Sequence, residues 1–356
     1  MKLFILAALF GLSSAVCDFT DCHSCAGQSA ISLILPGTCY WDLAKNKCAF
    51  APTDTLNIGD TDVVPQALSC PAPLPAFQYT DDFGRNTAFV FAMASNAEGV
   101  ENVTKCPAAK IPNVQVINQY TVNCDLLGST CSATLFLHRG AGAVVVAFRG
   151  SKGTAQFTTE ALQLVLSNPE PGTLYSGNVF AYFGNATNLL WNAGLGSDLQ
   201  TYLQNNPTFQ LWTFGHSLGG SLATLAANAA VRNGFITGDK VVVTTMGEPR
   251  TGDYDFASDV TNNVPQTYRI INGADLIPRM PLRTFLQNTN AYHNDFEVWY
   301  NSSMNIGSSF AVNNRADDYS GANVLTINNL LNVVNLTIHN SYFSVDMNNY
   351  VQDFCS

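Results

Sequence analysis

The chain has 356 residues, 47% of them hydrophobic and 12% charged, which supplies a sizeable core and excludes general disorder. Its net charge of -10 excludes the Lys and Arg surplus that nucleic-acid phosphates require, and it leaves no basis for electrostatic attraction to anionic membranes. Hydrophobic contact with a lipid surface stays open.

The N-terminus reads MKLFILAALFGLSSAVC. Lys2, the apolar run Leu3 to Leu12 and the small residues Ser13 and Ala15 predict a secretory signal peptide over residues 1–15. The run is too short for a membrane span, no later stretch approaches one, and the terminal NNYVQDFCS lacks an anchor signal. The mature chain is therefore expected to be secreted and extracellular. Ten cysteines, at 17, 22, 25, 39, 48, 70, 106, 124, 131 and 355, all follow the cleavage point, and in an oxidising compartment they are expected as disulfides. Sequons at Asn102, Asn185, Asn301 and Asn335 fit the same route and predict glycosylated surface loops.

Six of the cysteines fall between residues 17 and 70, so 16–70 is expected to be a cysteine-rich module with its linker, held by disulfides rather than by a core. Its pairings stay open. A zinc site on Cys22, His23 and Cys25 is the alternative, and secretion disfavours it. No metal or cofactor is expected anywhere in the chain.

Residues 71–356 form the second expected domain. FGRNTAFVFAMASNAE reads as a helix, and SATLFLHRGAGAVVVAFRG as two strands around a Gly-Ala-Gly turn. LWNAGLGSDLQTYLQNN is helical, LWTF is a short buried strand, and LGGSLATLAANAAVRNG is a helix. VVVTTMG and QTYRIING are further buried strands. Strands alternating with helices predict an α/β fold, a mostly parallel central sheet with helices on both faces.

Between the strand LWTF and its helix lies GHSLG, of the form G-x-S-x-G. A serine hydroxyl is a weak nucleophile that needs a base, a group to orient the base, and donors for an oxyanion. On a strand-to-helix elbow the serine is exposed at the carboxyl end of the sheet. Neighbouring side chains would clash there, hence Gly215 and Gly219 around Ser217. Alone the pattern is weak, and its strand-to-helix context strengthens it. A phosphate loop would need a Lys after its glycines, which is missing. A plain structural turn is the remaining alternative.

The order serine, acid, histidine expected of an α/β-hydrolase leaves His293 and His339 as candidate bases. His23 lies in the cysteine-rich module, His138 precedes a buried strand, and His216 sits on the elbow with its ring expected to point away. Asp275, after the strand TYRIIN, is the candidate acid, with Asp253 and Asp255 as rivals.

From about residue 77 to 355 the chain resembles the class 3 (fungal-type) lipase family, in detail its secreted nematode branch. The likeness rests on AFRGSKG, GHSLGGSLATLAA, GEPRTGDYDFA, YRIINGADLIPRMP, YHNDFEVWY and IHNSYF, in that order. It implies an α/β-hydrolase fold with Ser217 as nucleophile, Asp275 as triad acid and His339 as base. It also implies an oxyanion hole made by the backbone N–H groups of Ser151 and Leu218. His293 falls in a block whose histidine is not the base. Two departures stand out. Ile338 precedes His339 where the family commonly has Asp, and FAVNNRADDYSGAN replaces a cysteine pair that nematode members often carry. The remaining cysteines are expected to pair as Cys106 with Cys355 and Cys124 with Cys131.

After AFRGS the family places a mobile lid. Phe157, Ala161, Leu164 and Val165 recur at helical spacing and make 152–167 the lid candidate, an ordinary surface helix being the alternative. The expected function is a secreted lipase acting on acylglycerols at a lipid–water interface. The alternatives are a phospholipase A1 or feruloyl-type esterase on the same fold, and a non-catalytic secreted binding protein.

Overall fold

The computed structural model describes residues 17–32, 35–52, 55–56, 60–108, 110–152, 168–281, 290–324 and 336–355. The signal-peptide residues, the lid candidates Phe157, Ala161, Leu164 and Val165, and the sequon Asn335 lie outside them. The chain divides into two compact units, Met1–Pro73 with Asn314–Val324, and Leu74–Asn313 with Leu325–Ser356.

In the smaller unit, Leu35–Asp42 pairs antiparallel with Ser29–Ser32, Lys47–Pro52 and Val63–Val64. Its core contains Trp41 and Val64 and is otherwise largely cysteine, so three disulfides do the holding: Cys17–Cys39, Cys22–Cys70 and Cys25–Cys48. Cys22 and Cys25 are thereby unavailable to zinc. The sequence pattern ends this unit near residue 70, but residues 314–324 join it. Arg315 Nη1 donates to the Thr61 carbonyl at 2.8 Å, and Ser69 Oγ donates to that of Ala316 at 2.7 Å. Nothing local in NRADDYSGAN announces partners some 250 residues upstream.

The larger unit is built on one eight-stranded sheet. Its strands are β1 (Val114–Asn123), β2 (Thr130–His138), β3 (Ala143–Phe148), β4 (Gln210–His216), β5 (Val241–Met246), β6 (Thr267–Asn272), β7 (Glu297–Tyr300) and β8 (Ala311–Asn313). They lie side by side in chain order. Strands β3 to β7 are parallel, and β1, β2 and β8 add antiparallel edges.

Alternation along the strands sends side chains to two covered faces. Val144, Val146, Leu211 and Val243 pack with helices α3 (Ala181–Leu190), α4 (Gly196–Asn205), α5 (Leu218–Arg232) and α6 (Tyr254–Asn263). Phe136 and Phe214 face the other way and meet Phe91, on the helix Phe89–Ala94, at ring distances of 5.0 and 5.9 Å. Burial on both faces is why AVVVAF and VVVTTM carry no polar alternation.

Two sequons expected in loops lie instead on helices. Asn102 is exposed on Val100–Ala108 and Asn185 is exposed on α3, where an amphipathic helix turns its polar residues to water. Asn301 is exposed just after β7. Disulfides join Cys106 to Cys355 and Cys124 to Cys131.

Candidate active site

Strand β4 ends at His216 and α5 starts at Leu218, leaving Ser217 alone between them with φ 55° and ψ -125°. A non-glycine residue in that region is strained and persists only where its surroundings enforce it. A Cβ on Gly215 would lie 2.0 Å from the Gly219 carbonyl oxygen, and one on Gly219 would lie 2.3 Å from that of Phe148. Both elbow glycines are therefore dictated by backbone contact. The Ser217 N–H donates to the Met246 carbonyl at 2.9 Å, which ties the elbow to the end of β5.

The same packing brings the segment that follows β3 alongside the elbow. A Cβ on Gly150 would come within 3.0 Å of the His216 carbonyl oxygen, so a side chain here would press on the elbow. Ser151 is half-buried at this point. Leu218 is the first residue of α5, where a helix N–H has no acceptor of its own within the helix.

Asp275 follows β6 and is 1% exposed, beside His339 at 3% and with Ser217 at 5%. Nδ1 of His339 lies 2.9 Å from Asp275 Oδ2 and donates to it. The Tyr342 hydroxyl donates to the same oxygen at 2.6 Å, and the Ile277 N–H donates to Oδ1 at 3.0 Å. Burial alone would raise the Asp275 carboxyl pKa. The charge and hydrogen bond of His339, with the Tyr342 and Ile277 donors, outweigh it and hold the group below the usual carboxylate value. Burial, then the Asp275 charge, pushes the Tyr342 hydroxyl far up, so it stays a donor.

His216 lies beside His339, the candidate base. Its ring lies 4.5 Å from that of His339, and its Nε2 donates to the His339 carbonyl at 2.8 Å. Burial, followed by the neighbouring His339, pushes its pKa down to about 3, so the ring stays neutral. Leaving the elbow where it does, the side chain has no solvent to turn to.

The rival residues lie elsewhere. Asp253 caps α6, accepting from the Phe256 N–H at 2.9 Å and from Asn178, and Asp255 is exposed on the first turn. His293 is buried with Nε2 on the Pro278 carbonyl at 2.6 Å. His138 ends β2 level with the start of β3, at the opposite end of the sheet from the elbow.

Two further residues shape the site. Gly247, at φ +61°, follows the carbonyl that holds Ser217. A Cβ there would stand 2.8 Å from His339 Cε1 and 3.1 Å from Asp275 Oδ2. Tyr342 is the second, three residues beyond His339. A glycine ending an all-buried strand is a readable signal for the first, whereas nothing in IHNSYF marks the tyrosine.

The one group of metal-type ligands within mutual reach among the described residues is Cys17, Cys39 and Cys48, and all three sulfurs are in disulfides. A cavity of about 680 Å³ bordered by Phe209, Phe235, Lys240 and Pro265 sits at the starts of β4 and β5, the opposite end of the sheet from Ser217.

Residues 145–285 match the family described as Lipase (class 3). Lipase ZK262.3 of Caenorhabditis elegans is 26% identical over 266 residues, which span 68% of this chain and 73% of that protein. A secreted mono- and diacylglycerol lipase of Fusarium solani is 42% identical over a shorter stretch of 76 residues, 21% of this chain and 22% of that one. Among solved structures, the lipase of Rhizopus microsporus var. chinensis superposes with a TM-score of 0.63 at 20% identity, covering 83% of this chain and 98% of its own.

Proposed function

This chain belongs to the class 3 lipase family, and we propose that it is a secreted acylglycerol lipase working through an acyl-enzyme on Ser217. The observation that carries the reading is the buried pair of His339 Nδ1 and Asp275 Oδ2, 2.9 Å apart, next to a serine on a strained elbow.

With Nδ1–H committed to Asp275, the other ring nitrogen of His339 is left as the acceptor for the Ser217 proton. Ser217 attacks the ester carbonyl. The N–H groups of Ser151 and Leu218 receive the oxyanion, aided by the N-terminal end of α5. His339 protonates the leaving alcohol and then activates the water that releases the fatty acid. Asp275 keeps the imidazole in one tautomer and stabilises its charged form. Secretion rests on the leader over residues 1–15 and on the five disulfides, which an oxidising compartment favours.

The test is a series of esters of rising acyl length, including emulsified triacylglycerol, on wild type and Ser217→Ala. Wild type should prefer long-chain emulsified esters, and the variant should lose on the order of 10⁴-fold or more in kcat. A variant as active as wild type, or wild type active on phospholipid alone, would sink the proposal.

A further inference from the structure

Large apolar side chains are unevenly exposed in the larger unit. Leu126, Ile306 and Leu127 stand out at 105%, 87% and 75% of their reference areas, whereas Leu74, Leu189, Val100 and Val312 range from 55% down to 38%. The three lie on two separate loops, and topology puts both loops at one end of the sheet.

Leu126 and Leu127 tip the turn between β1 and β2, which the Cys124–Cys131 bond closes. Because β2 runs antiparallel to β3, its start lies level with the end of β3, where Ala133 pairs with Phe148. Arg149 reaches back from that end and bonds the Thr130 hydroxyl at 2.7 Å. Ile306 follows β7, which runs parallel to β6 and β4, so it too leaves at the carboxyl end. Met304 and Asn305 beside it bond the hairpin after His339, accepting from the Phe343 N–H and the Ser344 hydroxyl. At about 4.8 Å per strand, one loop is displaced roughly 10 Å from the Ser217 strand to one side. By the same spacing the other is displaced roughly 14 Å to the opposite side.

We infer that these two loops are a two-point footing that seats the active-site mouth on a neutral lipid–water interface. The inference rests on the hydrolase reading for its substrate and names the surface on which that substrate is met. The leucine turn is suited to an apolar phase because several of its backbone N–H groups are already engaged. Asp125 Oδ1 accepts the N–H groups of Leu127 and Ser129 at 2.9 and 3.0 Å, and the Cys124 N–H donates to the Ser129 carbonyl. A turn whose donors were open would carry their desolvation cost into the lipid. Charge selects the occupant. Neither DLLGST nor NSSMNIGSS contains a basic residue, and the chain carries -10 overall, so the attraction is apolar and the surface uncharged.

The experiment measures binding on a Ser217→Ala background, so that the droplets are not consumed. The probe is triolein droplets coated with phosphatidylcholine, and bound protein is read by flotation. Leu126→Ser with Leu127→Ser should weaken binding about tenfold per leucine, and Ile306→Ser should weaken it about tenfold again. Leu189→Ser, on helix α3, serves as the matched control and should change little. Equal melting temperatures establish that each variant is folded. Binding that survives all three changes, or that requires an anionic lipid, overturns the inference. A wild type that hydrolyses no ester bears on the hydrolase reading alone, because flotation of the inactive protein still decides the footing.

Discussion

At the scale of single residues, the site is a chain of donors ending on one carboxylate oxygen. Asp275 Oδ2 accepts from both His339 and Tyr342, and the tyrosine is too buried to ionise and compete as an anion. A hydrogen bond to a charged group contributes about 1.5–3 kcal/mol, so Tyr342→Phe should lower kcat on a soluble ester about tenfold with KM little changed. Steady-state kinetics decide it, and an unaltered kcat would reduce the tyrosine to packing. Ser217 could be singled out from its elbow motif, whereas order alone left Asp253, Asp255 and His293 as rivals and only the family resemblance pointed to Asp275 and His339. Tyr342 and Gly247 could not be singled out, because their roles depend on how segments far apart in sequence meet. The contact of His216 with His339 was not legible either, since a motif fixes the backbone of the elbow but not which neighbour its histidine meets.

At the scale of elements, strands β3 to β6 were legible because burial on both faces leaves nearly unbroken apolar runs. The 314–324 segment was not legible, because its partners are sequence-distant carbonyls that carry no pattern. The β4 end also has a pH consequence. The His216 pKa falls from an ordinary 6.5 to about 3, and burial also lowers that of His138 at the far end of β2. A depressed histidine means that the unfolded chain takes up the proton first. Its contribution to stability is therefore whole above pH 6.5 and is lost as pH falls toward the folded value. His216 gives a slope of about 1.4 kcal/mol per pH unit within that window. Asp275, also depressed, adds its loss only at lower pH, below its ordinary 3.8. Urea unfolding at pH 7, 5.5 and 4.5 should thus show falling stability. His216→Phe should be less stable at pH 7, having lost its bond to the His339 carbonyl, yet flatter with pH. A variant with the wild-type slope would mean that the proton is taken up elsewhere.

At the scale of the whole molecule, the difficulty this fold solves is that its proposed base comes late in the chain. His339 lies 122 residues beyond Ser217, on a C-terminal segment whose described residues contribute no strand to the large sheet. The segment is held from several sides. Asn272 Nδ2 donates to the Ser341 carbonyl at 2.6 Å, and Arg85, paired with Asp81, donates to that of Phe343 at 3.0 Å. Tyr350 packs edge-on to Phe89 at 5.5 Å. The covalent tie is Cys106–Cys355, which closes a separation of 249 residues. In the chain-entropy picture a loop that long constrains the unfolded state by about 5 kcal/mol, and measured effects commonly run to about 2–4. Cys106→Ser with Cys355→Ser should therefore lower Tm by about 5–10 °C in calorimetry. The same variant discriminates between two roles for the bond. If it only limits the unfolded chain, kcat below the new Tm stays at the wild-type value. If it also holds His339 in register, kcat falls at temperatures where the protein is fully folded. The polar contacts to Ser341 and Phe343 lie close to His339 and the disulfide lies sixteen residues beyond it, so the first outcome is the expected one.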